Sequence, residues 1–348
     1  MQIRTPRFYC DSISYRLSRG VAQNGFFDVQ GTSTGNDLVG IKSGGGTEAE
    51  LFDMRPLNLV TFDTAASSAS KADHVVLSLD VMGETSSKHS FVALLNHNLV
   101  TATGKIRIAA SDTKSHIESA DFSGATAIEP TEVVNGDTIE ADPFEVAPAT
   151  DGSTILKFAE SDLRYWGIQF EGLSGNFSAT DLTVGCVLVG EYYEMPHAPD
   201  MNVKRSIEFD KVNVIESIGG QRFGNMTSHG RTASTASKSP FTTSASAQQV
   251  FGGRIIYDLS FSFLRAIDVM PTHYDIYNPT DDSTVEDVWN KTNGQLLPFI
   301  FSIDKSTDGE GDNSESVHIL ARFGNNSLEM TQVAHDMYNI SMRIEEEF

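Results

Sequence analysis

The sequence predicts an all-β protein in which a jelly-roll β-sandwich is followed by a second β domain. Apolar and polar residues alternate with a period of two in many short stretches, which is the pattern of half-buried strands. Gly, Pro, Asn and Asp are concentrated between these stretches, as expected for turns. Short strands separated by such turns favour a sandwich over a parallel α/β sheet.

In the first half of the chain, residues 1–60 are expected to form an N-terminal arm with the first strands, and residues 61–195 the jelly roll. The predicted strands of the jelly roll include Val75–Val81, Phe91–Leu95, Ile106–Ala110 and Ile168–Phe170. Trp166 is the expected anchor of the core, because large aromatic side chains bury the most apolar surface. Pro196 and Pro199 would stop strand pairing and mark the boundary between the domains.

Residues 196–348 predict a second β domain with one short helix. Its expected strands are Val203–Ile218, Arg254–Phe263, a hairpin of Leu297–Ile303 with Val317–Phe323, and Tyr338–Ile344. Ser283 and Glu286 have the spacing of a capping box. The helix after them would place Val285, Val288, Trp289 and Thr292 on one face, and we interpret it as a cover for the sheet.

An inserted loop or arm, residues 219–254, separates two of these strands and contains no Asp or Glu. An even distribution of the 47 acidic residues would place about 5 of them there, so their absence is informative. The bases of the segment are Arg222, Arg231, Lys238 and Arg254. Two interpretations stay open: a flexible polar loop, or an arm that lies against an acidic surface such as a neighbouring copy.

The composition limits the classes of partner. With 25 basic residues against 47 acidic ones, the net charge is −22. Such a surface repels nucleic acid and anionic lipid, so neither sequence-specific nucleic-acid binding nor membrane binding is expected. Cys10 and Cys186 are too few for a disulfide framework or a zinc cluster. There is no signal-peptide core, which predicts synthesis in a cytoplasm.

No pattern in the sequence predicts a catalytic site. The Gly31–Gly35 string matches a nucleophile elbow, but that chemistry needs a helix next, and the glycine-rich residues that follow predict a surface loop instead. His97 lies between Asn96 and Asn98 after an apolar strand, where such residues close turns through hydrogen bonds to the backbone. We therefore expect that the protein is not an enzyme.

One loop has the spacing of a calcium site. From Asp304, oxygen-bearing side chains occupy positions 1, 3, 5, 7, 9 and 12, with Gly309 at position 6. The candidate ligands are Asp304, Ser306, Asp308, Glu310, Asp312 and Glu315. Gly311 replaces the usual apolar residue and strands flank the loop, so a bare acidic hairpin tip is the favoured interpretation. We expect no cofactor, with Ca²⁺ as the alternative.

Residues 1–195 resemble the jelly-roll, galactose-binding-like modules of bacteriophage tail proteins. The matching residues are Pro6 to Tyr9, then Phe91, Leu94, His97, Asn98 and Leu99, then Arg164, Tyr165 and Trp166, and finally Gly185 and Gly190. The jelly roll hosts many functions, so this resemblance implies the fold and the class of virion component rather than a ligand.

The second half resembles tail-tube-like or distal-tail β domains. The matching segments are Arg254–Phe263, Pro298–Phe301 and Ile344–Glu347. Such domains assemble as rings, for example hexamers, and the resemblance therefore implies that the protein binds copies of itself and other tail proteins. In that arrangement Arg222, Arg231, Lys238 and Arg254 would contact acidic faces of neighbouring copies.

The function expected from these features is that of a structural virion protein in a phage tail, as a distal-tail or tail-tip ring in a baseplate hub or adaptor. The alternative is a carbohydrate-binding adhesion module that contacts host surface glycans through the first domain. A calcium-dependent or hydrolytic enzyme is the weakest alternative.

Overall fold

The computed structural model describes residues 5–20, 27–30, 38–65, 74–81, 88–208, 212–226, 254–271, 284–304 and 318–347. Strands account for 51% of the structure and helices for 10%, in antiparallel sheets. The expected all-β sandwich fold is thus confirmed. Within these ranges, no helix is long and apolar enough to span a bilayer.

The first half contributes the strands of the sandwich and one short helix. In chain order they are β1 (Arg7–Asp11), α1 (Ser12–Ser18), β2 (Phe27–Val29), β3 (Val60–Thr61), β4 (His74–Asp80), β5 (His89–His97), β6 (Gly104–Ser111), β7 (Thr126–Ala127), β8 (Pro130–Val134), β9 (Gly136–Ile139), β10 (Asp142–Pro148), β11 (Gly152–Ser161), β12 (Tyr165–Gly172), β13 (Thr183–Val184) and β14 (Cys186–Glu194). Two 3-10 helices, Glu48–Phe52 and Lys114–His116, lie in the connections.

The second half continues with β15 (Lys204–Glu208), β16 (Val212–Glu216), β17 (Arg222–Met226), β18 (Arg254–Arg265), α2 (Ala266–Val269), α3 (Val285–Lys291), β19 (Phe299–Ser302), β20 (His318–Phe323), β21 (Met330–Ala334) and β22 (Met337–Glu346). The predicted strands of this half are present, including the hairpin of β19 and β20. Val203–Ile218, expected as one strand or hairpin, instead contributes β15 and β16 to two different sheets.

Two large sheets build the sandwich. One has the strand order β15-β18-β22-β20-β19-β1-β14-β5-β11-β8, with β21 beside β22, and the other has the order β2-β4-β12-β6-β10-β9, with β7 beside β6. From β4 to β6, and again from β10 to β14, the main strands alternate between the two sheets, which is the wrapping of a jelly roll. Trp166 is fully buried between the sheets and donates its indole N–H to Leu163 O at 2.8 Å.

Strand β1 joins the two halves of the chain in one sheet. It pairs with β14 on one side and with β19 on the other, so that Tyr9 lies opposite both Tyr192 and Ile300. Phe8 faces the apolar core of the second half, whereas Tyr9 packs with residues of both halves on the opposite face. The segment expected as an N-terminal arm therefore contains a strand that both halves share. A division at residue 195 cuts across the large sheet and across the cores, because Phe8 and Tyr193 belong to the core of the second half.

Helix α3 begins one residue later than the predicted capping box. Thr284 is the N-cap: its Oγ1 accepts the Asp287 N–H at 3.3 Å, and the Asp287 carboxylate accepts the Thr284 N–H at 3.2 Å. Ser283 lies outside the described residues. Two capping boxes are possible in this sequence, Ser283 with Glu286 or Thr284 with Asp287. The helix adopts the second, and Val285 and Val288 are then buried against the core of the second half.

The two glycines of the phage-tail resemblance are required by close backbone approaches. A Cβ on Gly190 would lie 1.9 Å from Cys10 O, and a Cβ on Gly185 would lie 2.0 Å from Pro56 O. Real Cβ atoms do not approach a carbonyl oxygen this closely, so any larger residue must push the neighbouring segment away. At Gly190 that segment is β1.

Replacing Gly190 with alanine is expected to lower the free energy of unfolding by about 1–3 kcal/mol, because β1 must shift to admit the methyl group. Gly224 is the matched control, since a Cβ at that position would meet no atom of the described residues within 4 Å. Urea unfolding curves of the two variants measure the difference. Equal losses of stability in both would contradict the close approach of β1 to β14.

Candidate functional site

A two-stranded hairpin stands apart from the large sheets. In the described part of the chain, strands β16 and β17 pair only with each other, and Gly219 and Gly220 lie in the turn between them. The turn is closed by the Gly220 N–H, which donates to Ser217 O at 2.8 Å. A hairpin of two strands is at best marginally stable in water, so burial of its side chains against another surface would stabilise it. We call residues 212–226 the apolar hairpin.

The apolar hairpin exposes large hydrophobic side chains. Ile215 is 61% exposed and Phe223 is 57% exposed, and the two lie directly opposite each other across the strands. Val214 and Ile218 are exposed as well. A set of apolar side chains grouped on one small element marks an interaction surface, unlike hydrophobic residues scattered singly over a surface.

The polar groups of the apolar hairpin leave it without net charge. Arg222 Nε donates to Glu216 Oε2 at 3.1 Å, and the sequence has no other charged residue between positions 212 and 226. Both side chains are largely exposed, so the pair contributes little stability. In a chain with a net charge of −22, this is a neutral and apolar element.

The open edge of β15 is the second feature of this region. Among the described residues β15 pairs only with β18, and it bears Lys204, Arg205 and Glu208. Lys204 Nζ lies 3.6 Å from Asp258 Oδ2. Charged side chains on an edge strand discourage pairing with another sheet. The apolar hairpin is therefore the stronger candidate for an interaction surface.

The structure places the predicted arm residues on different elements. Arg222 lies in β17, within a segment whose composition predicts no strand, and its guanidinium bonds to Glu216 of its own hairpin. Arg254 begins β18, opposite Glu208 of β15. Arg231 and Lys238 lie outside the described residues. The Gly219-Gly220 dipeptide directly after the alternating run that ends at Ile218 is a turn signal, and it is the one local feature that could have indicated a hairpin here.

Of the six candidate calcium ligands, only Asp304 is described, and its backbone oxygen accepts the Ser302 hydroxyl at 2.7 Å. Ser306, Asp308, Glu310, Asp312 and Glu315 lie outside the described residues, as does the Gly31–Gly35 string. The calcium hypothesis stays a prediction. Over the ranges that the structure describes, no group of three His, Cys, Asp or Glu side chains could hold a metal ion.

His97 closes a turn, as the sequence predicts. The Leu99 N–H donates to His97 Nδ1 at 3.3 Å, which leaves Nε2 to donate to Thr154 Oγ1 at 2.9 Å. Burial lowers the pKa of His97 to about 4, so the ring is neutral near pH 7. Asn98 completes the turn by accepting the Thr183 N–H at 2.7 Å.

Both cysteines are buried, as expected for Cys186. Burial raises the pKa of Cys10 to about 12, and it raises the pKa of Cys186 well above its usual range. Neither thiol is therefore ionised near neutral pH, and the thiolate is the form that acts as a nucleophile.

A buried charge cluster that the sequence does not indicate lies on the outer face of the large sheet, beside Tyr9. Arg7 Nη1 donates to Glu132 Oε1 at 2.9 Å, and Arg7 Nε donates to Glu194 Oε2 at 3.0 Å. Lys157 also bonds to Glu132, with its ammonium 4.5 Å from the centre of the Tyr192 ring. Burial opposes ionisation of Glu132, but Lys157 and Arg7 outweigh it and lower the pKa of that carboxyl.

Every charged side chain of the cluster is paired with an opposite charge, so the cluster holds neighbouring strands together. Arg7 comes from β1, Glu132 from β8 and Lys157 from β11. Arg7 and Glu132 are 125 positions apart, and no short motif could have joined them. The arrangement stabilises the position of β1 in the sheet.

No protein-family model matches the chain, and no curated protein matches it. Among solved structures, the chain is similar to chitosan-binding module 1 derived from a chitosanase/glucanase from Paenibacillus sp. IK-5. The TM-score is 0.30 and the sequence identity is 12%, over 48% of this chain and 96% of the module. A similarity of this size identifies neither a family nor a function.

Proposed function

We propose that this protein is a structural component of a bacteriophage tail, and that its copies associate into a ring at the distal end of the tail. The observation that carries the proposal is the apolar hairpin, whose exposed Ile215 and Phe223 would be buried by a partner surface. The placement in a phage tail rests on the resemblance of residues 1–195 to tail-protein jelly rolls and of the second half to distal-tail domains.

Charge supports the hairpin as the contact between copies. Two copies that each carry a net charge of −22 repel one another over most of their surfaces. A neutral apolar element is where two such chains can approach at the lowest electrostatic cost. A hairpin that inserts into a different surface of the next copy makes a head-to-tail contact, and contacts of this kind form a ring when the rotation between successive copies closes.

Replacing both Ile215 and Phe223 with threonine tests the proposal. Threonine keeps the preference for strands but removes apolar surface. Burial of the exposed parts of both side chains is worth about 2–4 kcal/mol, so we expect association to weaken by about 30- to 700-fold. Light scattering coupled to size exclusion measures the oligomer, and negative-stain electron microscopy shows whether it is a ring.

Val333 is the matched control, because it is an exposed strand residue outside the apolar hairpin. The Val333→Thr variant should assemble like the wild type. A wild-type chain that stays monomeric at every concentration would refute self-association. Unchanged assembly of the Ile215/Phe223 double variant would show that the hairpin is not the contact.

A further inference from the structure

A shallow cleft of about 610 Å³ lies between the end of α1 and the loop that follows α3. Its lining includes Arg19, Trp289, Asn290, Asn293, Gln295 and Asn326. These residues come from three separate parts of the chain, and they lie outside the apolar hairpin and the charge cluster.

The backbone that frames the cleft is held by several hydrogen bonds. Thr292 Oγ1 donates to Val288 O at 3.0 Å, and the Gly294 N–H donates to Trp289 O at 2.9 Å. Asn293 Nδ2 donates to Ser18 Oγ at 2.6 Å and so ties the loop to α1. The backbone of the loop from Thr292 to Gly294 is thus held in place, which lowers the entropic cost of binding a ligand at this loop.

Most of the side chains that line the cleft are polar. Within the described residues, the side chains of Asn290, Gln295 and Asn326 make no hydrogen bond, and nor does the indole N–H of Trp289. Arg19 has no carboxylate partner in the described part of the chain, and its guanidinium lies 5.2 Å from the centre of the Tyr15 ring. Three amide side chains, the indole of Trp289 and the guanidinium of Arg19 therefore belong to residues that line one cleft.

The lining contains no Asp or Glu, although the chain carries 47 of them. Amide side chains both donate and accept hydrogen bonds, which suits hydroxyl groups that do the same. The indole of Trp289, held by Phe323 with the ring centres 5.0 Å apart, contributes an apolar surface at the same place. Amides around one aromatic ring fit a ligand with many hydroxyls and an apolar C–H face.

We propose that this cleft binds a saccharide unit, through the amides of Asn290, Gln295 and Asn326, the guanidinium of Arg19 and the ring of Trp289. A phosphate-rich ligand would need more than one cation, and an apolar peptide would leave the amides without partners. The site is independent of the proposed ring assembly, because none of its residues belongs to the apolar hairpin.

The intrinsic fluorescence of the full chain can report on this site directly. The chain has two tryptophans, and Trp166 is fully buried, so a soluble quencher such as iodide reaches Trp289 alone. An array of neutral, amino and uronic-acid oligosaccharides identifies the sugars that bind, and the strongest of them is then titrated. We expect saturable protection of Trp289 from iodide.

The Asn290→Ala/Asn326→Ala double variant is expected to bind the same sugar about 10- to 30-fold more weakly, because two hydrogen bonds are lost. The Asn202→Ala variant is the control, since Asn202 is exposed and does not line the cleft. Binding of no oligosaccharide on the array, or equal binding by the double variant and the wild type, would overturn the proposal. Size exclusion of the same variants reports assembly separately, so failure of one proposal leaves the other standing.

Discussion

Replacing Phe8 with alanine is expected to lower the free energy of unfolding by about 3–5 kcal/mol, because the side chain is fully buried and leaves a cavity at the centre of the second core. Its ring lies within ring-contact distance of four other aromatic residues, at centroid separations from 5.2 to 6.4 Å: Tyr193, Phe299, Phe301 and Phe323.

Single-tryptophan variants separate the responses of the two halves of the chain to this change. Trp166 reports the sandwich core, and Trp289 reports the second core through its contact with Phe323. Because β1 pairs with strands of both halves, we expect the Phe8→Ala substitution to shift the urea midpoint of both signals. A shift of the Trp289 signal alone would show that the halves unfold independently.

Phe263 is the matched control for this experiment. It is 66% exposed, so its replacement with alanine should change the free energy of unfolding by no more than about 0.5 kcal/mol. A loss as large as that of the Phe8→Ala variant would argue against burial as the cause.

Removing the Arg7 guanidinium is expected to destabilise the protein to a similar degree. The Arg7→Ala variant removes the guanidinium that bonds to Glu194 and one of the two cations that bond to Glu132, the other being Lys157; loss of one partner of a buried ion pair costs about 3–5 kcal/mol. Arg164 is the control, because its pair with Asp80 is of similar length but its side chain is 44% exposed. The Arg164→Ala variant should lose no more than about 1 kcal/mol.

The pH dependence of stability distinguishes the lost charge pair from a simple loss of packing at Arg7. The folded pKa of Glu132 is lowered, so its contribution is complete above the ordinary glutamate pKa of about 4.3 and is lost as the pH falls through the folded value. The stability difference between wild type and the Arg7→Ala variant should therefore shrink below about pH 4. A difference that stays constant from pH 7 to pH 3 would identify packing as the cause.

Patterns that depend on neighbouring residues predict much of the fold. The alternation in Val75–Val81 and in Arg254–Phe263 marks β4 and β18, because the side-chain period of a strand is local. The turn around His97 is predictable for the same reason, since short polar side chains there can reach only nearby backbone groups or the facing loop.

Local patterns fail where a segment could pair with more than one partner. Strand β1 has five consecutive buried residues and no alternation, because it is covered on both faces and paired on both edges. Strand β17 escapes prediction because it lies in a segment dominated by Ser, Thr, Ala and Gly, a composition that predicts a loop.

The cleft and the charge cluster depend on the tertiary structure even more strongly. Arg19, Trp289 and Asn326 come together only because α1, α3 and the segment before β21 meet at one side of the second core. None of the three belongs to a motif with a recognisable spacing. These residues line the same cleft only after the chain has folded.

The amino-acid sequence alone determines the all-β class, most of the strands, the helix that covers the sheet and the net negative charge. Strand period and helix propensity are properties of short segments, and net charge is a property of the composition. The pairing of β1 with strands of both halves, and the meeting of Arg7 with Glu194 across 187 positions, emerge only in the packed fold. Backbone hydrogen bonds are the same for every strand, so they do not select a partner. The choice of partner follows from how all the side chains pack together.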